Sequence, residues 1–210
     1  MRKFHRRRRV KRKVGKAVKK YVKKTLDSFV EDKQAGGVIV AFNPLDTMSF
    51  VLVNGIAQGT NQGQRVGSSV RSKYLNLRLN FNQNTIARTR MRVMLFWDRQ
   101  SNGANPTLSQ LLTDTTAAQT YYSGINVNGS KRYKILFDRI YDFNVVGGAT
   151  DAAENKHLQK RFKLKTIVKY NGTGATIADI NTNALFLGFC AITTTAMTVS
   201  GNADFIYEDA

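Results

Sequence analysis

Cys190 is the only cysteine among 210 residues. One chain can therefore build neither a disulfide framework nor a cysteine-based zinc site. Proline is nearly missing too, with Pro44 and Pro106 alone, and tryptophan occurs once, as Trp97. No stretch approaches the ~20 apolar residues of a membrane-spanning helix, and the N-terminus lacks the apolar core of a secretory signal. The expectation is a soluble chain made in the cytoplasm, with no membrane insertion. Catalytic chemistry is equally short of material. His5 sits in an arginine run and His157 in a polar stretch expected to be a loop. A His–Cys pair would need Cys190, which lies in Phe186-Leu187-Gly188-Phe189-Cys190-Ala191-Ile192. An apolar setting raises a thiol's pKa, and such a cysteine behaves as a small hydrophobe. The glycines at 55, 59, 63 and 67 precede no helix and form no phosphate loop. Asp138 and Asp142 could share one side of a strand, but salt bridges to Arg139 or Lys134 account for them without a cleft. The sequence predicts no catalytic residue and no required cofactor.

The most informative absence is that of acids near the start. Between Arg2 and Lys24 there is no Asp or Glu, against 14 basic residues: Arg2, Lys3, Arg6, Arg7, Arg8, Arg9, Lys11, Arg12, Lys13, Lys16, Lys19, Lys20, Lys23 and Lys24. The whole chain has 33 Lys and Arg and 14 Asp and Glu, so 19 bases face all 14 acids after Lys24 and only +5 of the +19 belongs there. The chain reads as a basic arm, residues 1–33, on a nearly balanced body, residues 34–210.

Within the arm, residues 2–9 are so rich in Arg that like-charge repulsion is expected to keep them disordered without a polyanion. From Val10 the apolar residues Val10, Val14, Ala17, Val18, Tyr21, Val22, Leu26 and Phe29 recur at three- and four-residue steps. That spacing predicts an amphipathic helix with lysines on its remaining surface. Laid on nucleic acid, such an arm binds phosphates by counterion release, without sequence preference. A membrane-surface helix shares the pattern, but this stripe is mostly Val and Ala with no Trp. Organelle-targeting peptides are usually Ser-rich, and the first serine here is Ser28. A nuclear localisation signal is compatible with nucleic-acid binding.

The body reads as strands separated by Gly- and Asn-rich loops. Val38–Phe42 and Met48–Val53 are short strands, and residues 54–69 form a loop. Residues 73–81 alternate, with Leu75, Leu77, Leu79 and Phe81 inward. In the strand from Arg88 to Trp97, residues Met91, Val93, Leu95 and Trp97 share one face. Its other face, Arg90, Arg92, Met94 and Phe96, is half basic and suits contact with a neighbouring subunit or an arm. Asn105 as cap and Pro106 at the first helical position predict a short helix inside a loop. Strand signals resume over 131–143 and 160–170, and Ala184–Ile192 is apolar throughout, as in a strand buried on both faces. Thr198-Val199 and Phe205-Ile206-Tyr207 close the pattern. About eight strands without a βαβ rhythm predict an all-β antiparallel sandwich, an eight-stranded jelly roll.

Asn54-Gly55-Ile56-Ala57-Gln58-Gly59, Gln64-Arg65-Val66-Gly67-Ser68-Ser69-Val70-Arg71, Phe96-Trp97-Asp98-Arg99, Pro106-Thr107-Leu108 and the ending Tyr207-Glu208-Asp209-Ala210 carry a resemblance. With the basic helical arm, they make the chain similar to the coat protein of satellite tobacco necrosis virus and to relatives encoded by small circular single-stranded DNA viruses. The resemblance implies a single jelly roll, a homo-oligomeric T=1 icosahedral shell of 60 identical subunits, and inward arms packaging a single-stranded RNA or DNA genome. It also implies a virion location after synthesis in the host cytoplasm, with import to the host nucleus through the arm as an option. Finally it implies Ca²⁺ between subunits, held by the carbonyls of Val66 and Ser69, the Asp209 carboxylate and Glu31 of a neighbour. Oxygen-only ligands suit Ca²⁺, but this loop has no acid of its own, and plain salt bridges at Asp209 and Glu31 are the competing reading. A cellular nucleic-acid-binding structural protein of ribosomal or chromatin type is the alternative function.

Overall fold

Strict alternation of Leu and Phe with Asn and Arg makes residues 69–83 the longest strand of the protein, and the other strands are arranged around it. The computed structural model describes residues 15–22, 25, 31–42, 44, 47–83, 88–116, 120–144, 154–192 and 197–209. The chain divides into two compact units, Met1–Asp32 and Lys33–Ala210. In the first, residues 15–22 are helical (α1). Val10, Val14, Leu26 and Phe29 of the expected stripe lie outside the described residues.

Among the described residues the second unit contains ten strands: β1 (Lys33–Phe42), β2 (Ser49–Leu52), β3 (Ser69–Gln83), β4 (Thr89–Asp98), β5 (Tyr133–Phe143), β6 (Asn155–Lys163), β7 (Ile167–Tyr170), β8 (Ile180–Thr182), β9 (Ala184–Ala191) and β10 (Met197–Asp209). One sheet has the order β1-β10-β3-β7-β8, with β6 also paired to β3, and the other is β2-β9-β4-β5. β6 and β7 are one strand interrupted at 164–166, where Lys165 adopts a left-handed φ of 53°. Hydrogen bonds to β3 continue across the break, from Leu164 N to Lys73 O and from Ser72 N to Thr166 O. Counted so, with three-residue β8 as an appendage, the sandwich is four strands on four in the jelly-roll arrangement. Two expectations change. His157 lies in β6 rather than a loop, and the two closing strands are one, running through Gly201.

Between the sheets, Leu75, Leu77, Leu79 and Phe81 of β3 meet Met91, Val93, Leu95 and Trp97 of β4, all at most 3% exposed. β9 is buried along its whole length, Cys190 included. The second face of β4 is covered by its own chain. The guanidinium of Arg92 donates twice to Asp138 (2.8 and 2.6 Å) and to the carbonyls of Thr120 (3.2 Å) and Ser123 (2.6 Å). Phe96 stacks with Phe186 and meets Tyr133 edge-on. Asp138 and Asp142 therefore pair across strands with Arg92 and Arg90, rather than with Lys134 or Arg139. The short helix α2 (Leu108–Leu111) starts later than expected, capped by Thr107. Gln110 accepts from the Thr107 N–H at 3.5 Å, a reciprocal capping box that Asn105 could not complete.

One cation is fully inside. Arg65, 1% exposed, donates to the carbonyls of Ile56, Gly67 and Gly172 and lies over the Tyr170 ring at 4.2 Å. It thereby ties the 54–68 loop to the loop after β7. Among the described residues no carboxylate forms an ion pair with it, so carbonyl dipoles and the ring face carry its compensation. Arg65→Ala leaves those carbonyls unpaired and is expected to lower stability by about 3 kcal/mol in denaturant titration. A loss under about 0.5 kcal/mol would show that water replaces the guanidinium without cost.

Burial also raises the phenols of Tyr133 and Tyr207 to about 12, and pushes Tyr170 upward. Each raised value favours the folded state below the ordinary tyrosine range and loses that contribution as pH climbs through the folded value. Melting temperature should therefore fall steeply between pH ~10 and ~12, together with late phenolate absorbance.

Candidate nucleic-acid arm and subunit cation site

Of the fourteen basic residues expected to bind nucleic acid, Lys16, Lys19 and Lys20 are described, all exposed on α1. Arg2, Lys3, Arg6, Arg7, Arg8, Arg9, Lys11, Arg12, Lys13, Lys23 and Lys24 lie outside the described residues. The three lysines sit at i, i+3 and i+4, so they crowd one side of about one turn with no acid between them. Like charges at that spacing destabilise an isolated helix, and a polyanion laid against them would remove the penalty. The neighbouring apolar residues Val18, Tyr21 and Val22 are 54%, 73% and 48% exposed in the single chain.

The four residues expected to hold Ca²⁺ are distributed unevenly. Glu31 belongs to the N-terminal unit and is exposed. Val66 is exposed in the loop ahead of β3, and Ser69 opens β3 opposite Lys169. Asp209, at the end of β10, is the one carboxylate that the shell unit adds to the set. Its two oxygens are both engaged: Oδ1 accepts from the Val66 N–H at 3.2 Å, and Oδ2 meets the Lys33 ammonium at 2.6 Å. Lys33 also donates to the Gln64 carbonyl at 3.3 Å, and the Val66 carbonyl accepts from Gln58 at 3.1 Å.

Ca²⁺ takes six to eight oxygen ligands. One carboxylate, already neutralised by an ammonium within hydrogen-bonding distance, does not fit that requirement as a single chain presents it. Among the described residues no group of three or more His, Cys, Asp or Glu could hold a metal ion. Lys33 supplies a covalently attached cation to the carboxylate that the resemblance implies as a calcium ligand. Sequence reading passed over it because Lys33 stands in a run of charges, Glu31-Asp32-Lys33, with nothing to distinguish it. Lys33→Met is expected to cost about 1 kcal/mol in thermal melts, with wild-type melting indifferent to added calcium or chelator. Stabilisation of the wild type by calcium would reverse the assignment.

The comparisons with known proteins follow the same line. No curated protein matches the chain by sequence. A solved structure, "Cryo-EM structure of Mud crab tombus-like virus at 3.3 Angstroms resolution", is similar at 14% identity and a TM-score of 0.33, covering 86% of this chain and 78% of that one. The satellite tobacco necrosis virus coat protein family matches residues 5–210, from inside the arginine run to the last residue. With a match of that extent, and a jelly roll carrying a polycationic N-terminal segment, the chain belongs to the satellite tobacco necrosis virus coat protein family and is a viral capsid protein.

Proposed function

We propose that the protein assembles into a T=1 shell of 60 copies and packages a single-stranded genome through its N-terminal arm, residues 1–33. The observation that carries the reading is the partition of charge: 14 bases and no acid between Arg2 and Lys24, against a body that is nearly neutral. A single arm binds loosely and loses affinity steeply with salt. Sixty arms in a closed container act together and bring about 840 positive charges, enough to offset on the order of a thousand phosphates at one charge each. Neutralisation on this scale suits a genome of roughly one to a few thousand nucleotides, RNA or DNA alike, since charge compensation is blind to the 2′-OH. The exposed Val18, Tyr21 and Val22 give neighbouring arms an apolar surface on which to associate once their charge is compensated. The same basic clusters suit import into a host nucleus before assembly.

The test is electron microscopy with nucleic-acid quantification of purified particles. The wild type should give uniform, filled shells. Replacing Arg6, Arg7, Arg8, Arg9, Lys16, Lys19 and Lys20 by Gln should give a folded protein whose particles hold several-fold less nucleic acid. Monomers without particles at any salt would overturn the assembly reading, and normal filling of the variant would overturn the role of the arm.

A further inference from the structure

The outer face of the larger sheet carries a second concentration of positive charge that the arm does not explain. Register places Asn80 opposite His157, Arg78 opposite Gln159, Asn76 opposite Arg161 and Tyr74 opposite Lys163 across β3 and β6. All eight side chains stand on the side away from the core, because Leu75, Leu77, Leu79, Leu158 and Phe162 between them point inward. On that face Arg78, Arg161 and Lys163 follow one another along and across the strands in steps of roughly 7 Å. Arg78 is 63% exposed, and its carboxylate partner, Asp204 on β10, stands off at 3.8 Å. Arg161 and Lys163 have no ion pair among the described residues. Instead the Arg161 guanidinium donates to the Asn76 amide oxygen at 2.7 Å and lies over the Tyr74 ring at 5.1 Å.

Beside Arg78 the face is hollowed. A depression of about 310 Å³ is bounded by Arg78, Asn80, His157 and Gln159, with Ser200 and Gly201 on the β10 side. It is open there because β10 has little side chain to offer. Gly201 holds a φ of +144°, and a side chain on it would run into the backbone of Arg78 and Leu79. None of the residues lining the hollow is acidic.

We infer that this face of β3 and β6 is a second binding surface for single-stranded nucleic acid, located on the shell domain itself. It shares its ligand with the packaging reading above but not its residues. The chemistry is complementary in three ways. Arg78, Arg161 and Lys163 supply spaced positive charge for successive phosphates. Gln159, exposed, presents a donor and an acceptor, the pairing that base edges use, beside Asn76, whose oxygen already accepts from Arg161. Arg161, held over the Tyr74 ring, offers a planar cation on which an unstacked base can lie. Amides and an aromatic platform are what a strand with exposed bases requires, whereas a sulfated polysaccharide uses the charge alone. The surface binds without sequence preference, and holds the stretch of genome that passes over each subunit.

The experiment uses the full-length chain and a mixed-sequence single-stranded oligonucleotide, with affinity measured across a salt series. The triple variant Arg78→Gln, Arg161→Gln, Lys163→Gln should remain folded by circular dichroism, since all three side chains are exposed. Its log K against log salt slope should fall by about 2. An unchanged slope in the folded variant overturns the inference. Tyr74→Leu should weaken oligonucleotide binding several-fold while leaving the slope as it is, and no loss would remove the stacking role. If the triple variant loses affinity for heparin and not for the oligonucleotide, the face serves another polyanion and the inference fails. Lys16→Gln, Lys19→Gln, Lys20→Gln provides the separate control. No change of slope there counts against the arm and leaves the sheet face standing.

Discussion

The arrangement depends on where β10 lies. It is an interior strand of the larger sheet, paired along its length with β1 on one side and β3 on the other. An edge strand such as β1 has one neighbour only, so its position is set entirely by that pairing. β1 is also the strand from which the arm continues backward along the chain. The geometry that fixes the arm's point of departure is therefore a ladder between Lys33–Phe42 and Val199–Tyr207, closed at its end by the Lys33–Asp209 ion pair.

Charge is handled differently in each part of the molecule. Inside the sandwich it is matched locally: Arg92 with Asp138, Arg132 with the buried Asp98, Arg71 and Lys73 with Glu208. Arg65 is compensated by dipoles, and its charge adds to the hydrogen bonds from Thr176 that hold Asp179 below the usual carboxylate range. On the outer face of β3 and β6, Arg161 and Lys163 form no ion pair among the described residues, while Arg78 faces Asp204 at 3.8 Å. Exposed cations of this kind add little to the stability of the fold.

Much of this was legible in the amino-acid order because sandwich strands announce themselves by period-two alternation. The inward sets of β3 and β4 and the doubly buried β9 followed from that pattern directly. What escaped was whatever depends on cross-strand register. Arg92 read as part of a face for a neighbouring subunit or an arm, and only folding brings Asp138, Thr120 and Ser123 around it. The interruption at 164–166 was invisible because Phe162, Leu164, Val168 and Tyr170 keep alternating through it. Closing strands read as separate proved continuous because Gly201, an apparent breaker, adopts a conformation that the ladder tolerates. At the candidate site, the arm's charge was readable from composition alone. Lys33 and the β3–β6 face were not, since each is assembled from residues far apart in the chain.

The pairing of β1 with β10 has a consequence in time as well as in space. Along the chain β1 precedes every other strand of the sandwich and β10 follows them all, so synthesis delivers the two partners far apart in time. For most of translation β1 has no partner, and nothing joins it to β3. Folding of this unit is thus deferred until the final strand is available, because its earliest and latest segments must meet. A prematurely terminated chain would carry the polycationic arm without the strand that anchors it to a shell. Such a fragment would lack the strand that joins β1 to β3, so the topology makes completion of the larger sheet conditional on β10.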